Sequence, residues 1–284
     1  MRLDHICFVG TPQFAVPVLD ALVNTCSGSR ISVISMPDKP RGRHQKTSPS
    51  PVKKTALHHQ LPVASPTSKE AFADHVQTLN PDIIIVVAYG RIIPKNITDT
   101  YFCINIHSSL LPQYRGASPI HTALLNGDTK TGVTIIRMNE RMDEGPILKT
   151  APHPIQEHDN LATLTQALSQ LGAETCASFI NDLYKRPQFP TGTPQNHHQA
   201  CYTKKITPTD LELSLPQSPV DIHNKVRAYA PKPGVYVIDN GKRIKLIETE
   251  IIDDQLYIRR VQPEGKPIMA YHDFLQGYPK GISL

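Results

Sequence analysis

The chain has 284 residues, 39% of them hydrophobic, with five cysteines, no tryptophan and a formal charge of +5, which allows two domains and suits an acidic partner without requiring one. The cysteines (Cys7, Cys26, Cys103, Cys176, Cys201) are odd in number and form no Cys-x-x-Cys pair, so neither a disulfide framework nor a zinc site is indicated and a cytoplasmic setting is expected. There is no signal-like start, and the longest apolar run, Ile83–Ala88, falls far short of the ~20 residues of a membrane helix, so no membrane role is expected.

Ile6-Cys7-Phe8-Val9 running into Gly10-Thr11-Pro12 predicts a buried parallel strand and a tight turn, then a helix with Phe14, Val18, Leu19 and Leu22 facing inward. The turn lacks the Gly-x-Gly-x-x-Gly spacing that brings backbone onto a pyrophosphate, which speaks against a nicotinamide enzyme. A second strand at Ile31–Ile34 enters the segment Pro37–Ser50, where Lys39, Arg41, Arg43 and Lys46 outnumber Asp38. Charge alone reads this as a solvated loop. Its place at the carboxyl end of a strand in an open α/β sheet, where ligands bind, makes it a candidate binding loop. Helices at Val52–His59 and Glu70–Leu79 flank a short edge strand at Leu61–Val63. The unbroken apolar run Ile83–Val87 predicts a central strand covered on both faces, turning away at Ala88-Tyr89-Gly90.

In the next strand, Cys103-Ile104-Asn105-Ile106-His107, alternation puts Asn105 and His107 on one face and Ile104 and Ile106 on the other. A helix follows Pro119, then a β-branched run at Val133–Ile136 and a turn carrying Asp143, Glu144 and Gly145. A buried Asn, a packed His or a turn Asp is ordinary taken singly. Together, at the ends of strands expected to be neighbours, Asn105, His107 and Asp143 form a candidate catalytic set. A short strand at Ile147–Leu148 and a helix at Leu161–Tyr184 come next. The proline-rich stretch that follows predicts a linker, and its His197-His198 pair has no acid or cysteine at ligand spacing, so no metal is expected. Beyond it, a helix at Val220–Tyr229 precedes a hairpin, Gly234–Ile238 and Arg243–Ile247, around Asp239-Asn240-Gly241. About three strands are legible there. The reading is thus α/β with a parallel sheet: a catalytic domain over 1–185, a linker over 186–201 and a small β-domain over 202–284.

Asn-x-His followed by Ser-Leu-Leu-Pro, an Arg-Gly (Arg115-Gly116) and a later Met-Asp-x-Gly (Met142 to Gly145) resembles the signature of the folate-dependent formyltransferases. Within that family the branch acting on methionyl-tRNA is the most similar. Gly10–Phe14, Pro37–Arg43, Ser50–Lys53, Ala88–Gly90 and Gln262–Lys266 also fall in the family's order. The resemblance implies a Rossmann-like parallel-sheet domain followed by an OB-like barrel that helps hold tRNA. It implies 10-formyltetrahydrofolate as co-substrate, initiator methionyl-tRNA as acceptor, no metal, and action as a monomer. By the same resemblance Asn105 and His107 stabilise the oxyanion of a tetrahedral intermediate, and Asp143 orients the imidazole and assists proton transfer. Ser109, Leu110, Leu111 and Pro112, with Ala88, Tyr89 and Gly90, would line the folate pocket. Lys39, Arg41, Arg43 and Lys46 would meet the tRNA acceptor end, Arg43 foremost. Ser108 stands where the family often has glycine, and Pro231-Lys232-Pro233 where an aromatic is usual. Because the catalytic set is shared, a glycinamide ribonucleotide or sugar-nucleotide formyltransferase, or an inactive RNA-binding relative, stays open here.

Overall fold

Runs of fully buried β-branched residues set the centre of the fold. The computed structural model describes residues 1–41, 46–214, 217–239 and 241–282, with backbone placement alone at Arg41 and Lys46. The chain runs through β1 (His5–Gly10), α1 (Val16–Thr25), β2 (Arg30–Ile34), the short strands β3 (Lys39–Arg41) and β4 (Lys46–Ser48), α2 (Pro51–His58), β5 (Val63–Ala64), α3 (Lys69–Leu79), β6 (Ile83–Val87) and α4 (Lys95–Thr100). There follow β7 (Phe102–His107), β8 (Arg115–Gly116), α5 (Pro119–Leu125), β9 (Lys130–Arg137), β10 (Ile147–Pro154) and α6 (Leu161–Tyr184). One sheet of seven strands runs β10-β9-β7-β6-β1-β2-β5. From β5 to β7 neighbours are parallel; β9 joins β7 antiparallel, with His107 opposite Thr134. All five residues of β6 are buried, as the predicted central strand requires.

Two expectations change here. Lys39–Arg41 and Lys46–Ser48, read as loop, pair as a short antiparallel hairpin. Strand β10 runs to Pro154, well beyond Leu148. Its polar second half hides the strand signal, because an edge strand buries little.

Packing divides the described chain into two compact units, residues 1–115, 132–153 and 166–202, and residues 116–131, 154–165 and 203–284. The sequence places the whole second domain after 201, whereas the second unit also takes in two earlier segments. The stretch expected as a linker belongs to the first unit. There Phe189 stacks on Phe102 at 4.0 Å between ring centres, Thr193 exchanges backbone hydrogen bonds with Ile147, and Gln195 is buried.

After β11 (Tyr202–Thr203), which pairs with β8, the second unit adds α7 (Pro219–Tyr229), β12 (Val235–Asp239), β13 (Lys242–Ile252), β14 (Gln255–Pro263), β15 (Met269–Ala270) and α8 (Tyr271–Gly277). Strands β12 to β15 form one antiparallel sheet in chain order. The sequence missed β14 because its hairpin turns on Asp253 and Asp254, with φ of 49° and 59°; this left-handed pair does the work of Asn-Gly without announcing it. Helix α7 binds the unit's two early segments. Asn224 sits so close to Gly127 (φ 68°) that an added Cβ would lie 2.7 Å from its Nδ2. Arg227 donates to the carbonyls of Gln156, Glu157 and Asp159 at 3.1–3.3 Å.

A chain ended after Gln199 keeps α5 but loses α7, the helix that packs on it with Tyr229 against His121, and with it the apolar contact between the two. At about 1.5–3 kcal/mol per large apolar side chain and about 2–4 °C per kcal/mol for a chain of this size, its melting midpoint is expected to fall by about 10 °C or more. Calorimetry of the two chains checks this, and an unchanged midpoint would rule out the three-segment unit.

Candidate active site

The parallel strands of the first unit end on one side of the sheet, the side on which open α/β sheets bind ligands. Gly10 closes β1 where a side chain would be crowded: an added Cβ would lie 2.9 Å from the Phe8 ring and 3.0 Å from the Val87 carbonyl. Thr11 then ties this turn to the end of β6, its hydroxyl donating to the Tyr89 carbonyl at 2.9 Å. Ala88 and Gly90 both adopt positive φ, 47° and 87°, turning the chain sharply off β6. The Ala88-Tyr89-Gly90 loop is thus built into the strand ends.

On the neighbouring strand β7, Asn105 lies opposite Val86 of β6 and Ile136 of β9. Its Nδ2 donates to Asp143 Oδ1 at 3.2 Å. His107, 6% exposed, has Nδ1 3.7 Å from Asp143 Oδ2 and Nε2 2.8 Å from the Tyr114 carbonyl. A carbonyl only accepts, so Nε2 carries the hydrogen. The imidazole is therefore oriented by the Tyr114 backbone, and Nδ1 is the nitrogen turned toward Asn105 and Asp143. Asp143 stands at ion-pair rather than hydrogen-bond range from it. The three predicted residues come together.

The Ser109–Pro112 loop follows β7 and is fixed by Thr134 of β9. The fully buried Thr134 hydroxyl donates to Ser109 O at 2.7 Å and accepts from Leu111 N at 3.1 Å. Ser109 Oγ donates to Gln113 O at 2.6 Å, and the Leu111–Pro112 peptide is cis. Gly132 lets the loop approach β9 and β10, since a Cβ there would sit 2.2 Å from Ala151 O and 2.7 Å from Leu110 Cδ2.

The turn bearing Asp143 is held from below. Asp143 has φ 57°, and at Gly145 a Cβ would lie 1.7 Å from the Arg137 carbonyl, so only glycine fits. Gln195 Nε2 donates to both Asp143 O and Gly145 O at 2.8 Å, while its Oε1 accepts from Arg115 Nε and Nη2 at 3.1 and 2.8 Å. Arg115, 1% exposed, also donates to the Tyr202 hydroxyl at 2.9 Å. Tyr202 in turn donates to Glu144 at 2.7 Å, which holds that carboxyl below its usual range, helped by Arg115 and Arg141. Sequence reasoning noted Arg115 only as part of a signature and missed Gln195 entirely. A lone glutamine among prolines carries no periodic signal.

Of the expected tRNA-loop residues, Lys39 is exposed on β3, Arg41 and Lys46 face each other across the hairpin register, and Arg43 lies outside the described residues. The loop's base is fixed by Lys53, bonded to both carboxylate oxygens of Asp38 at 3.0 and 2.9 Å. Among the described residues no group of three or more His, Cys, Asp or Glu is placed to hold a metal ion, and no helix is long and apolar enough to cross a membrane.

Residues 4–180 match the formyl transferase family, and residues 205–256 match the formyl transferase C-terminal domain. A methionyl-tRNA formyltransferase of Pelobacter propionicus is 35% identical over 306 residues, covering 98% of this chain and 95% of that one. Among solved structures, the methionyl-tRNA formyltransferase from Clostridium thermocellum shares the fold at TM-score 0.63 and 17% identity, over 92% of this chain and 99% of that one. HypX from Aquifex aeolicus, solved in complex with tetrahydrofolic acid, shares it at TM-score 0.66 and 16% identity, over 99% of this chain and 48% of that one.

Proposed function

The chain belongs to the methionyl-tRNA formyltransferases, and on that footing we propose that it moves the formyl group of 10-formyltetrahydrofolate onto the free amino group of methionyl initiator tRNA. The observation that supports formyl transfer is the convergence of Asn105, His107 and Asp143 at the end of β7, and the near-full-length similarity to methionyl-tRNA formyltransferases supports the tRNA as acceptor. In the transfer, the amine nitrogen bonds to the formyl carbon, the bond from that carbon to the folate nitrogen breaks, and one proton passes from the amine to the departing nitrogen. The difficulty is the negative charge that develops on the formyl oxygen. Asn105 gives one N–H to Asp143, and its second N–H is the donor we assign to that oxygen. His107 supplies the other donor from Nδ1 once it is protonated, with Asp143 stabilising the cation. Asp143 then takes the amine's proton, directly or through a water, and returns it to the folate nitrogen. No side-chain nucleophile is involved.

The loop Ser109–Pro112, held by Thr134, and Ala88-Tyr89-Gly90, held by Thr11, are the walls we assign to the folate. The cations Lys39, Arg41, Arg43 and Lys46 are assigned to the phosphates of the acceptor stem, and the four-stranded sheet of the second unit to the tRNA body. Because the proposed reaction belongs to the start of protein synthesis, we assign the enzyme to the cytoplasm. All three catalytic groups come from one chain, so a monomer suffices.

The test is a transfer assay with equal concentrations of methionyl initiator tRNA, glycinamide ribonucleotide and an amino-sugar nucleotide. Transfer to the tRNA alone is expected, weakening steeply with salt as phosphate contacts are lost. Comparable transfer to either small amine would overturn the assignment to tRNA.

A further inference from the structure

We propose that Gln195 is a positioning residue for the reaction: it sets the Asp143 carboxylate against Asn105 and His107 by gripping the backbone of the Asp143 turn, while Arg115 fixes the orientation of the Gln195 amide. The inference rests on the catalytic role assigned to Asp143.

A side-chain amide offers two N–H donors and one carbonyl acceptor. Here each donor is given to a different carbonyl, Asp143 O and Gly145 O, and the acceptor takes two bonds from the Arg115 guanidinium. The flipped amide would set its oxygen against two carbonyls and its NH₂ against a cation, so a single orientation survives. No other side chain of that length serves both ends. Glutamate keeps Arg115 and loses both donors; methionine fills the volume and makes none of the bonds. Arg115 and Gln195 are 1% and 5% exposed, so solvent does not compete for these contacts.

The turn has reason to need a grip. Asp143 sits in the left-handed region, which a residue with a Cβ leaves readily when nothing opposes it. Gly145 is pressed onto the Arg137 carbonyl with no room to spare. Relaxation at Asp143 would swing its carboxylate away from Asn105 Nδ2, now 3.2 Å distant, and His107 Nδ1, now 3.7 Å distant. Gln195 hydrogen-bonds neither of those side chains, so its loss is felt through Asp143. Since Asp143 acts on charge that appears during the reaction, the effect falls on kcat rather than on KM.

The experiment compares full-length Gln195→Glu, Gln195→Met, Asp143→Asn and the Gln195→Glu/Asp143→Asn pair with the parent, measuring kcat, KM for methionyl initiator tRNA, and melting midpoint. Both Gln195 variants are expected to lose about tenfold to a hundredfold in kcat, as a displacement of about 1 Å does, with KM within about threefold. In the Asp143→Asn background, Gln195→Glu is expected to cost less than about twofold more, because both changes act through one carboxylate. Parental kcat in both Gln195 variants, with Asp143→Asn impaired, overturns this inference alone. Parental kcat in Asp143→Asn overturns the reading beneath it. Losses that multiply in the pair, or Gln195 variants that both fail to fold, would make Gln195 a structural residue and overturn its role in positioning.

Discussion

His107→Ala is expected to lower formyl transfer by about 10²–10³, the loss that follows removal of one oxyanion donor elsewhere, with folate binding expected to persist. The site geometry makes the expectation specific. Nε2 is already committed to the Tyr114 carbonyl, so Nδ1, on the Asn105 and Asp143 side, is the nitrogen left for the chemistry. The same contact sets the cost in stability. Alanine leaves the Tyr114 carbonyl without that donor beside a nearly buried cavity, a penalty of about 1–3 kcal/mol that a few degrees of melting would report. Single-turnover transfer at saturating tRNA separates the two effects. Turnover within about threefold of the parent, against the hundredfold or more expected, would exclude His107 from the transition state.

Asn105→Ala is expected to cost a similar ~10²–10³ in kcat with KM for the tRNA little changed, since the amide is assigned to charge that the ground state lacks. Asn105→Asp sharpens the test. It replaces an N–H donor 3.2 Å from Asp143 Oδ1 with a second carboxylate, and two carboxylates so close hold a proton between them. That variant is expected to be at least as impaired as Asn105→Ala at neutral pH, although asparagine and aspartate have nearly the same shape. If Asn105→Asp kept parental turnover, neither the donor role nor the pairing with Asp143 could stand.

How much of this was legible beforehand depended on whether a residue's role left a trace in pattern. The strands β1, β2, β6 and β7 were plain because strands covered on both faces must be continuously apolar. Asn105 and His107 were legible because polar groups interrupt such a run on one face. Strand β14 was not, since Gln255–Pro263 has only two buried residues and its turn uses two aspartates. The partner of His107 is a backbone carbonyl, which every residue has, so no sequence signal could name it. Thr134 looked like one more β-branched strand residue, though its hydroxyl secures the Ser109–Pro112 loop. The segment around Gln195 read as linker because prolines and polar residues usually mean exposure, yet one buried amide and one stacked phenylalanine are enough to tie it down.

The second unit is drawn from three stretches of chain, and this has a consequence for how the molecule is made on the ribosome. Helix α5 ends at Leu125 and its partner α7 begins at Pro219. At about 5–20 residues per second, the apolar side of α5 waits on the order of 5–20 s after synthesis for the helix that covers it. During that interval the β9, β10 and α6 segments emerge and the sheet of the first unit can close, so α5, which belongs to the second unit, still lacks its partner helix when the first unit has become native. The nascent chain is thus expected to be open to chaperone capture late in its own synthesis, through α5 rather than through the strand that carries Asn105 and His107.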